Sequence, residues 1–278
     1  MGSRGKLLPR WYSSLGDINV FVRILDSVVP DIQPLHRRGQ PSKHTPKRYL
    51  MLIVAKEFKR SSLRSAETNW SMLVCGERVD HSVIQYWEDH LPPRMIEETI
   101  RAAGAALERT LGYEFTMADA TAFADWHHET VSFHLLNRIG GGTVYPVNAC
   151  IDTLDPVPNT RDVLLPGAGF FMADAWYDVN RVFCEAERFG YVPLIRPNKN
   201  RGSGKWRRRG RRVYNRFWRR YRHRGRGESP FGSLTNAFGD RLHTRLLRTT
   251  YARSLVRVLV YQTKLLVRER IATPWMNN

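Results

Sequence analysis

Two short segments of this sequence are nearly identical, and each places an aspartate after an apolar run. The segments read FTMADA at positions 115–120 and FFMADA at positions 170–175, so the two acids are Asp119 and Asp174. A carboxylate embedded in an apolar strand is costly to bury without a partner. If the two strands are neighbours in one sheet, the carboxylates converge, and Mg²⁺ is bound by such carboxylates. Taken singly, each aspartate can instead cap a turn or a helix.

A third acid, Glu228, follows a long stretch without acidic residues. Tyr221, Arg224 and Glu228 stand at positions i, i+3 and i+7, which lie on one face if this segment is helical. Gly225 and Gly227 weaken that helix. The alternative role for Glu228 is to compensate the dipole at the start of a following helix.

Positive charge is concentrated in one part of the chain, residues 196–227, which we call the basic segment. The 278 residues carry 44 Lys and Arg against 26 Asp and Glu, a formal charge of +18. Fifteen basic residues and no acidic one lie in the basic segment, which leaves +3 for the rest. Arginine interleaved with aromatic residues suits phosphate contacts and base stacking, so we predict nucleic-acid binding. A solvated, partly disordered loop is the alternative, and binding to a membrane surface is less favoured. The interleaved aromatic residues are Trp206, Tyr214, Phe217, Trp218 and Tyr221.

Composition narrows the class of protein further. With 42% hydrophobic residues the chain can bury a sizeable core. The three cysteines lie far apart and form neither a disulfide framework nor a metal-ligand spacing, which favours a reducing compartment. No apolar run approaches the ~20 residues that span a bilayer, and the start lacks a signal-peptide pattern. We therefore expect a cytoplasmic protein that does not bind membranes.

The first 112 residues predict an all-α domain. Helical spacing and capping residues predict helices over 18–29, 46–58, 63–75, 81–90 and 95–111. Two of these helices, 63–75 and 81–90, are joined by a short turn and fit a helix-turn-helix pattern. In helix 81–90 we expect Val83, Ile84 and Trp87 to face inward. A plain helical domain gives the same pattern. The DNA-reading candidates on the outward face are His81, Ser82 and Gln85.

Residues 113–278 predict an α/β domain around one central sheet, with the basic segment as an insert. A tight glycine turn at 140–142 connects two of the predicted strands, and a predicted helix over 179–189 lies between the last two strands. Two C-terminal helices follow, over about 230–238 and 243–271. The predicted strands are 113–123, 131–138, 143–152, 170–173 and 191–196.

These motifs together resemble the DDE transposases of bacterial and archaeal insertion sequences. Tyr, two residues, Arg, three residues, Glu is that family's signature around its third acid, and ESPFGSL (228–234) and GDRL (239–242) continue the resemblance. ADAWYD (173–178), followed by PLIRP (193–197), is similar to the family's second-aspartate block. The resemblance covers about residues 113–270, and the N-terminal helices match the family's DNA-binding domain more loosely.

The resemblance implies an RNase H-like catalytic core and metal-dependent cleavage and strand transfer at the ends of an insertion sequence. Asp119, Asp174 and Glu228 would be the catalytic acids and would hold two Mg²⁺ or Mn²⁺ ions roughly 4 Å apart. The partners would be double-stranded DNA, both transposon ends and target, and a second copy of the chain in a nucleoid-associated homodimer. Tyr221 and Arg224 would contact the transposon end. The further DNA contacts predicted in the basic segment are Arg207, Arg208, Arg209, Arg211, Arg212, Arg219 and Arg220.

Some positions depart from the family pattern, and other interpretations stay open. Thr235 stands where the family usually has Lys, Trp176 stands where Gly is common, and the short gap between 152 and 170 predicts a truncated helix. A DNA-binding relative that has lost catalysis and an unrelated basic RNA-binding protein are the alternatives. DWHHE (125–129) offers a second metal-like cluster, although adjacent histidines on a strand point to opposite faces. Asp178 is interpreted as a helix cap.

Overall fold

The N-terminal part of the chain is helical in the computed structural model, which describes residues 15–31, 42–125, 127, 130–202 and 204–272. Thr45 caps the second helix by accepting a hydrogen bond from the Arg48 N–H, and Asp80 caps the fifth in the same way from Ser82. A π-helical turn, Ala66–Trp70, joins the third helix to the fourth. The helices are α1 (Leu15–Val28), α2 (Pro46–Phe58), α3 (Leu63–Ser65), α4 (Ser71–Cys75), α5 (His81–His90) and α6 (Pro93–Leu111).

A five-stranded mixed sheet follows, in the order β3-β2-β1-β4-β5. The first three strands form an antiparallel meander, and the last two run parallel to the first. Gly141 and Gly142 have φ values of 53° and 79°, which glycine adopts without strain in the tight turn between the second and third strands. The strands are β1 (Phe115–Ala124), β2 (Thr130–Gly140), β3 (Thr143–Ile151), β4 (Phe170–Ala173) and β5 (Val192–Ile195).

The remaining helices lie between and after the parallel strands. The expected truncated helix after β3 is present as an eight-residue helix capped by Asp155. The basic segment is largely helical, so the loop interpretation is wrong for most of it. These elements are α7 (Pro156–Val163), a 3₁₀ helix (Ala175–Tyr177), α8 (Asn180–Arg188), α9 (Lys205–Tyr221), a second 3₁₀ helix (Arg222–Glu228), α10 (Ser229–Phe238) and α11 (Leu247–Ala272).

One continuous hydrophobic core joins the helices to the sheet. A Cβ added to Gly104 of α6 would lie 2.5 Å from the backbone of Val147, so α6 packs directly on β3. The last helix, α11, packs against α2, α5 and α6 and also contacts β3. Since α11 follows the sheet in sequence, the chain closes by returning to its N-terminal helices. No helix among the described residues is long and apolar enough to cross a membrane.

The opposite face of the sheet is covered by the aromatic side of α9. Met117, Met172 and Leu194 form a small core there, against which Tyr214, Phe217 and Tyr221 pack among other residues. Trp206 packs on the main core, and only Trp218, at 48% exposure, stays largely in solvent. Base stacking is therefore not the role of most aromatic residues of the basic segment. They anchor α9, and this turns most of its arginines outward.

Candidate active site

The two strand-borne aspartates lie side by side, in the middle of β1 and directly after the end of β4. In the register between β1 and β4, Met117 pairs with Met172, and Asp119 and Asp174 each come two residues later. Asp119 lies within β1, whereas Asp174 follows β4 and caps the first 3₁₀ helix by accepting a 2.9 Å hydrogen bond from the Trp176 N–H. Asp174 thus caps the 3₁₀ helix, as the alternative interpretation expected, and the strand register also places it beside Asp119.

Both aspartates line one open cleft of about 300 Å³. The cleft also contains carboxylate, imidazole and aromatic groups from β2, the end of β3 and the first 3₁₀ helix. Its lining is therefore acidic, in contrast to the basic helix nearby. The residues that line it are Asp119, Ala120, His134, Asp152, Leu154, Asp174, Trp176 and Tyr177.

Glu228 reaches this region through the second 3₁₀ helix. Arg224 donates from one guanidinium nitrogen to Asp119, at 2.8 Å, and from another to Glu228, at 3.4 Å. Glu228 is 63% exposed at the side chain and immediately precedes α10, where the helix dipole also favours a negative charge. The first and third predicted acids are thus linked by one arginine.

A close glycine contact holds the second 3₁₀ helix against the sheet. A Cβ on Gly227 would lie 2.1 Å from the Met117 sulfur on β1. The Gly227 carbonyl also accepts a 3.2 Å hydrogen bond from the buried Asn137 amide of β2. A larger residue at position 227 would have to displace either Met117 or the 3₁₀ helix that carries Glu228. Gly225 has no neighbour of this kind, because a Cβ there meets nothing within 4 Å.

The electrostatics of Asp119 reflect burial and the surrounding charges. Burial raises the pKa of its carboxyl, Arg224 and the Ala120 N–H act to lower it, and Asp174 and Glu228 add to the increase. The net effect is a pKa above the ordinary value. The charges of all three predicted acids are therefore felt at one point, and a cation at that point would relieve their repulsion.

The donor set fits a hard divalent cation, with the Arg224 guanidinium standing where positive charge is needed. Carboxylate oxygens are the ligands that Mg²⁺ prefers, and Arg224 already bridges two of the three acids. The three acids do not form a tight cluster in this structure. Among the described residues, the group of three potential ligands within 4.8 Å of one another is Glu67, Asp80 and His81.

The Glu67 group is a structural network in the helical part. Arg78 donates two hydrogen bonds to one Glu67 oxygen, and the His81 ring and N–H contact the other. The need of this buried carboxylate for positive charge is therefore met by Arg78, whose hydrogen bond is the largest cause of the lowered pKa of Glu67.

A histidine network behind the acids was missed in the sequence. His134 lies on β2 opposite Ala120, and its ring contacts the Tyr177 hydroxyl on one side and Asp152, at 3.1 Å, on the other. Asn159 of α7 donates to the same Asp152 oxygen at 2.6 Å. Burial lowers the pKa of His134, which favours the neutral ring. A single histidine inside the apolar run of β2 was the signal that could have revealed it.

Arg207, predicted to bind DNA, is instead a buried anchor. Its side chain is 3% exposed and pairs with Asp178 through two nitrogens, one of them at 2.8 Å. Asp178 also accepts a 2.7 Å hydrogen bond from the Asn198 N–H. It does not cap α8, since Val179 is the residue at that position. Asp178 is instead the residue that ends the first 3₁₀ helix, where its N–H donates to the Ala175 carbonyl, and its ion pair with Arg207 fixes the start of α9.

The other arginines predicted to contact DNA lie on or near the surface of α9. Arg209 is 62% exposed at the side chain and pairs with Glu187 of α8 at 3.3 Å. Arg211 is partly buried, whereas the others are exposed. Tyr221 points inward and donates a 3.1 Å hydrogen bond to the Ala173 carbonyl. The exposed members of the set are Arg208, Arg209, Arg212, Arg219 and Arg220.

The candidate reading helix, α5, presents a mixed surface. Ser82 and Gln85 are exposed as expected, and Ser82 also bonds to the capping carboxylate of Asp80. His81 is half-buried against Glu67. Val83 is 37% exposed, so the expectation that it faces inward is wrong. In the alternative cluster at 125–129, His127 donates its N–H to Asp125 at 2.8 Å, and positions 126, 128 and 129 lie outside the described residues.

The fold and site define a mixed α/β domain in which acidic side chains from β1 and from the end of β4 gather in one cleft. Residues 126–262, about half of the chain, match the family model of the transposase DDE domain, which identifies this part of the chain as a DDE transposase domain. The matched segment includes Asp174 and Glu228 and begins seven residues after Asp119. Searches of curated proteins and of solved structures found no match.

Proposed function

We propose that this chain is an active transposase that cleaves DNA at the ends of an insertion sequence and joins those ends to target DNA. The observation that carries the proposal is the alignment of Asp119 with Asp174 on adjacent parallel strands, with Arg224 linking Asp119 to Glu228. The sheet order and the position of the third acid after β5 agree with an RNase H-like core. The family match favours this function over an unrelated RNA-binding role.

Asp119, Asp174 and Glu228 would hold the metal, Mg²⁺ or Mn²⁺, as a pair of ions. Bound metal of this kind activates a water or hydroxyl nucleophile and stabilises the leaving oxygen of a phosphodiester. The protein residues supply charge and position: the acids offer oxygen ligands, and the packing of Gly227 on Met117 sets where Glu228 stands. The His134 ring contacts the Tyr177 hydroxyl and so supports the 3₁₀ helix that Asp174 caps.

The double-stranded DNA partner would lie along the exposed side of α9. Exposed arginines there neutralise phosphates without selecting sequence. Arg224 and Tyr221 stand next to the acids, which agrees with contacts close to the scissile phosphate. Helix α5 would contact base edges at one end of the insertion sequence through Ser82 and Gln85. His81 would hold this helix in place through its contact with Glu67.

Joining two ends of one element requires two active sites, so we propose a homodimer on DNA. A DNA substrate also places the working protein at the nucleoid of the cytoplasm. Thr235, where the family usually has Lys, is exposed on α10 and would leave one DNA contact weaker without touching the acids. An active enzyme is therefore favoured over a relative that has lost catalysis.

The test is Mg²⁺-dependent cleavage of supercoiled plasmid DNA and of duplexes that carry the flanking repeats of the gene. Asp119→Asn and Glu228→Gln should each reduce cleavage by more than roughly 100-fold, beyond the effect of losing an outer-shell group. Binding of duplex DNA should persist in both variants, because the arginines of α9 are intact.

Glu98→Gln is the matched control, since Glu98 is a half-exposed acid of α6 that pairs with Arg94 and does not line the cleft. It should cleave like the wild type. Undiminished cleavage by Asp119→Asn or Glu228→Gln would overturn the assignment of the acids.

A further inference from the structure

Leu154 is an unusual residue at the mouth of the acidic cleft. It follows β3, lines the same cleft as Asp119 and Asp174, and is 85% exposed. Among the described residues it is the most exposed large apolar side chain, since the next, Met72, is 57% exposed. An isolated surface leucine needs no explanation, but this one stands beside the reacting groups.

The backbone of Leu154 is held in a conformation that leucine avoids. Its φ is +63°, in the left-handed region that glycine and asparagine adopt more readily. The hydrogen bonds around it account for this: Asp152 accepts from the Leu154 N–H at 2.8 Å, and Asn159 accepts from the N–H of Thr153 at 2.9 Å. The turn is thus fixed by hydrogen bonds to the two N–H groups that lead into its exposed apolar tip.

The same turn is tied to the histidine network. The Asp152 oxygen that accepts from Leu154 also contacts His134 at 3.1 Å, and Asn159 donates to that oxygen. Asp155, one residue after Leu154, caps α7 by accepting from the Val157 N–H. Leu154 is therefore presented by a turn that is bonded to β2, α7 and the floor of the cleft.

We propose that Leu154 is an apolar wedge that inserts between bases of the duplex next to the phosphate on which the acids act. This inference rests on the proposed function, because it takes the substrate in the cleft to be DNA. Apolar side chains that insert into a base step unstack it and bend the duplex. The faces of the bases are the apolar surface that a leucine meets once a phosphodiester lies beside Asp119 and Asp174.

Charge decides between a base step and a protein partner as the occupant. The basic segment reaches the cleft through Arg224, which bonds to the cleft residue Asp119, and exposed arginines follow α9. A polyanion is drawn to this surface, while an apolar protein segment gains nothing from it. An opened base step also gives the acids access to the phosphate between the separated nucleotides.

Three variants separate the wedge from a structural role. Leu154→Asn removes the apolar tip, while asparagine tolerates the left-handed conformation, so the protein should fold with unchanged or higher thermal stability. Leu154→Met keeps an apolar tip. Leu247→Ala, which truncates a leucine 49% exposed at the start of α11, is the control for loss of an exposed leucine elsewhere.

The readout is the fluorescence of 2-aminopurine placed at a nick in a short duplex, without divalent metal so that no strand is cut. This base brightens when it is unstacked. Wild type, Leu154→Met and Leu247→Ala should raise the signal on binding, and Leu154→Asn should not. With Mg²⁺, Leu154→Asn should cleave plasmid about tenfold more slowly, because the step is no longer opened. Duplex affinity by anisotropy should stay within about twofold, since phosphate contacts dominate it.

The outcomes distinguish the two proposals. If the wild-type protein binds no duplex, the proposed function fails. If it binds duplex but leaves 2-aminopurine stacked, or if Leu154→Asn brightens the base and cleaves DNA as the wild type does, the wedge is wrong and the proposed function stands.

Discussion

At the scale of single residues, Arg224 is the group that offsets the repulsion among the acids. It bonds to Asp119 at 2.8 Å and to Glu228 at 3.4 Å, and it works against the burial that raises the pKa of Asp119. A metal ion bound to these two acids would compete with the guanidinium for the same oxygens. Its Nε atom is buried without a hydrogen-bond partner, so little else holds the side chain in place.

Replacing this arginine should therefore strengthen metal binding while it weakens the action on DNA. Arg224→Gln removes a competing positive charge, so the affinity for Mn²⁺ at neutral pH should rise by about tenfold, the size of a one-unit electrostatic effect. Removal of Arg224 also raises the pKa of Asp119 further, so protons compete more strongly for that carboxyl as the pH falls. Mn²⁺ titration by calorimetry measures the affinity, and plasmid cleavage should fall because the proposed DNA contact is lost.

Arg226→Gln provides the control for this change. Arg226 lies two residues away and donates to a backbone carbonyl, that of Gly142, instead of an acid. Its replacement should leave Mn²⁺ affinity unchanged. Equal Mn²⁺ affinity in Arg224→Gln and wild type would show that the guanidinium does not compete for the acids.

At the scale of elements, much of the fold could be predicted because local signals were strong. The capping residues Thr45 and Asp80 and the glycine turn at 140–142 set element ends close to those observed. The repeated strand–Asp pattern predicted strands that the structure pairs directly in parallel. These features depend on residues near one another in sequence, where capping and periodicity operate.

Features set by distant partners could not be predicted. Burial of Arg207 depends on Asp178, 29 residues earlier, and nothing in a run of arginines marks the one that meets a buried acid. The inward packing of Tyr214 and Phe217 depends on β1, β4 and β5 presenting an apolar face. The sequence pattern showed aromatic residues among arginines without showing which side of the helix would be covered.

The second 3₁₀ helix provides the sharpest test at this scale. Gly227→Ala would place a Cβ against the buried Met117 sulfur, and relief of that contact must move either Met117 or the segment that carries Glu228. We expect a loss of about 1–3 kcal/mol in the free energy of unfolding, as for other overpacked cores. Cleavage should fall by more than this stability loss explains when it is measured well below the melting temperature.

Gly225→Ala is the matched substitution, two residues away in the same 3₁₀ helix, where a Cβ meets nothing within 4 Å. Urea unfolding and plasmid cleavage should both stay close to those of the wild type. The position argument would be contradicted by a Gly227→Ala protein that cleaves as fast as Gly225→Ala.

At the scale of the whole molecule, the two faces of the sheet are covered by different sets of helices. One face is covered by α6 and α11, and there the buried Arg257 of α11 pairs with Glu57 of α2 at 2.9 Å. Arg257 also donates to the carbonyls of Gly239 and Arg241, which connects α11 to the end of α10. The other face is covered by α9, whose aromatic side is buried while exposed arginines lie on its outer side.

This division predicts how affinity for DNA depends on salt. The formal charge of +18 is concentrated in the basic segment, whose arginines range from exposed ones through the partly buried Arg211 to the buried Arg207. If the exposed arginines neutralise 6–10 phosphates, affinity should fall by roughly 10³–10⁵ between 50 and 200 mM salt. Replacing Arg212, Arg216 and Arg219 together by Gln should reduce the slope of log affinity against log salt by about 3, because each lost contact removes about 0.9.

Arg207→Met should lower the stability of the protein without changing the salt dependence of DNA binding. It leaves Asp178 buried and unpaired, so urea unfolding should show a loss of roughly 3–5 kcal/mol, while the salt slope of the protein that remains folded stays that of the wild type. Fluorescence anisotropy of a labelled duplex over a salt series measures every slope. The aromatic packing of α9 turns these arginines toward solvent. An unchanged slope in the triple variant would therefore show that DNA binds another face of the molecule.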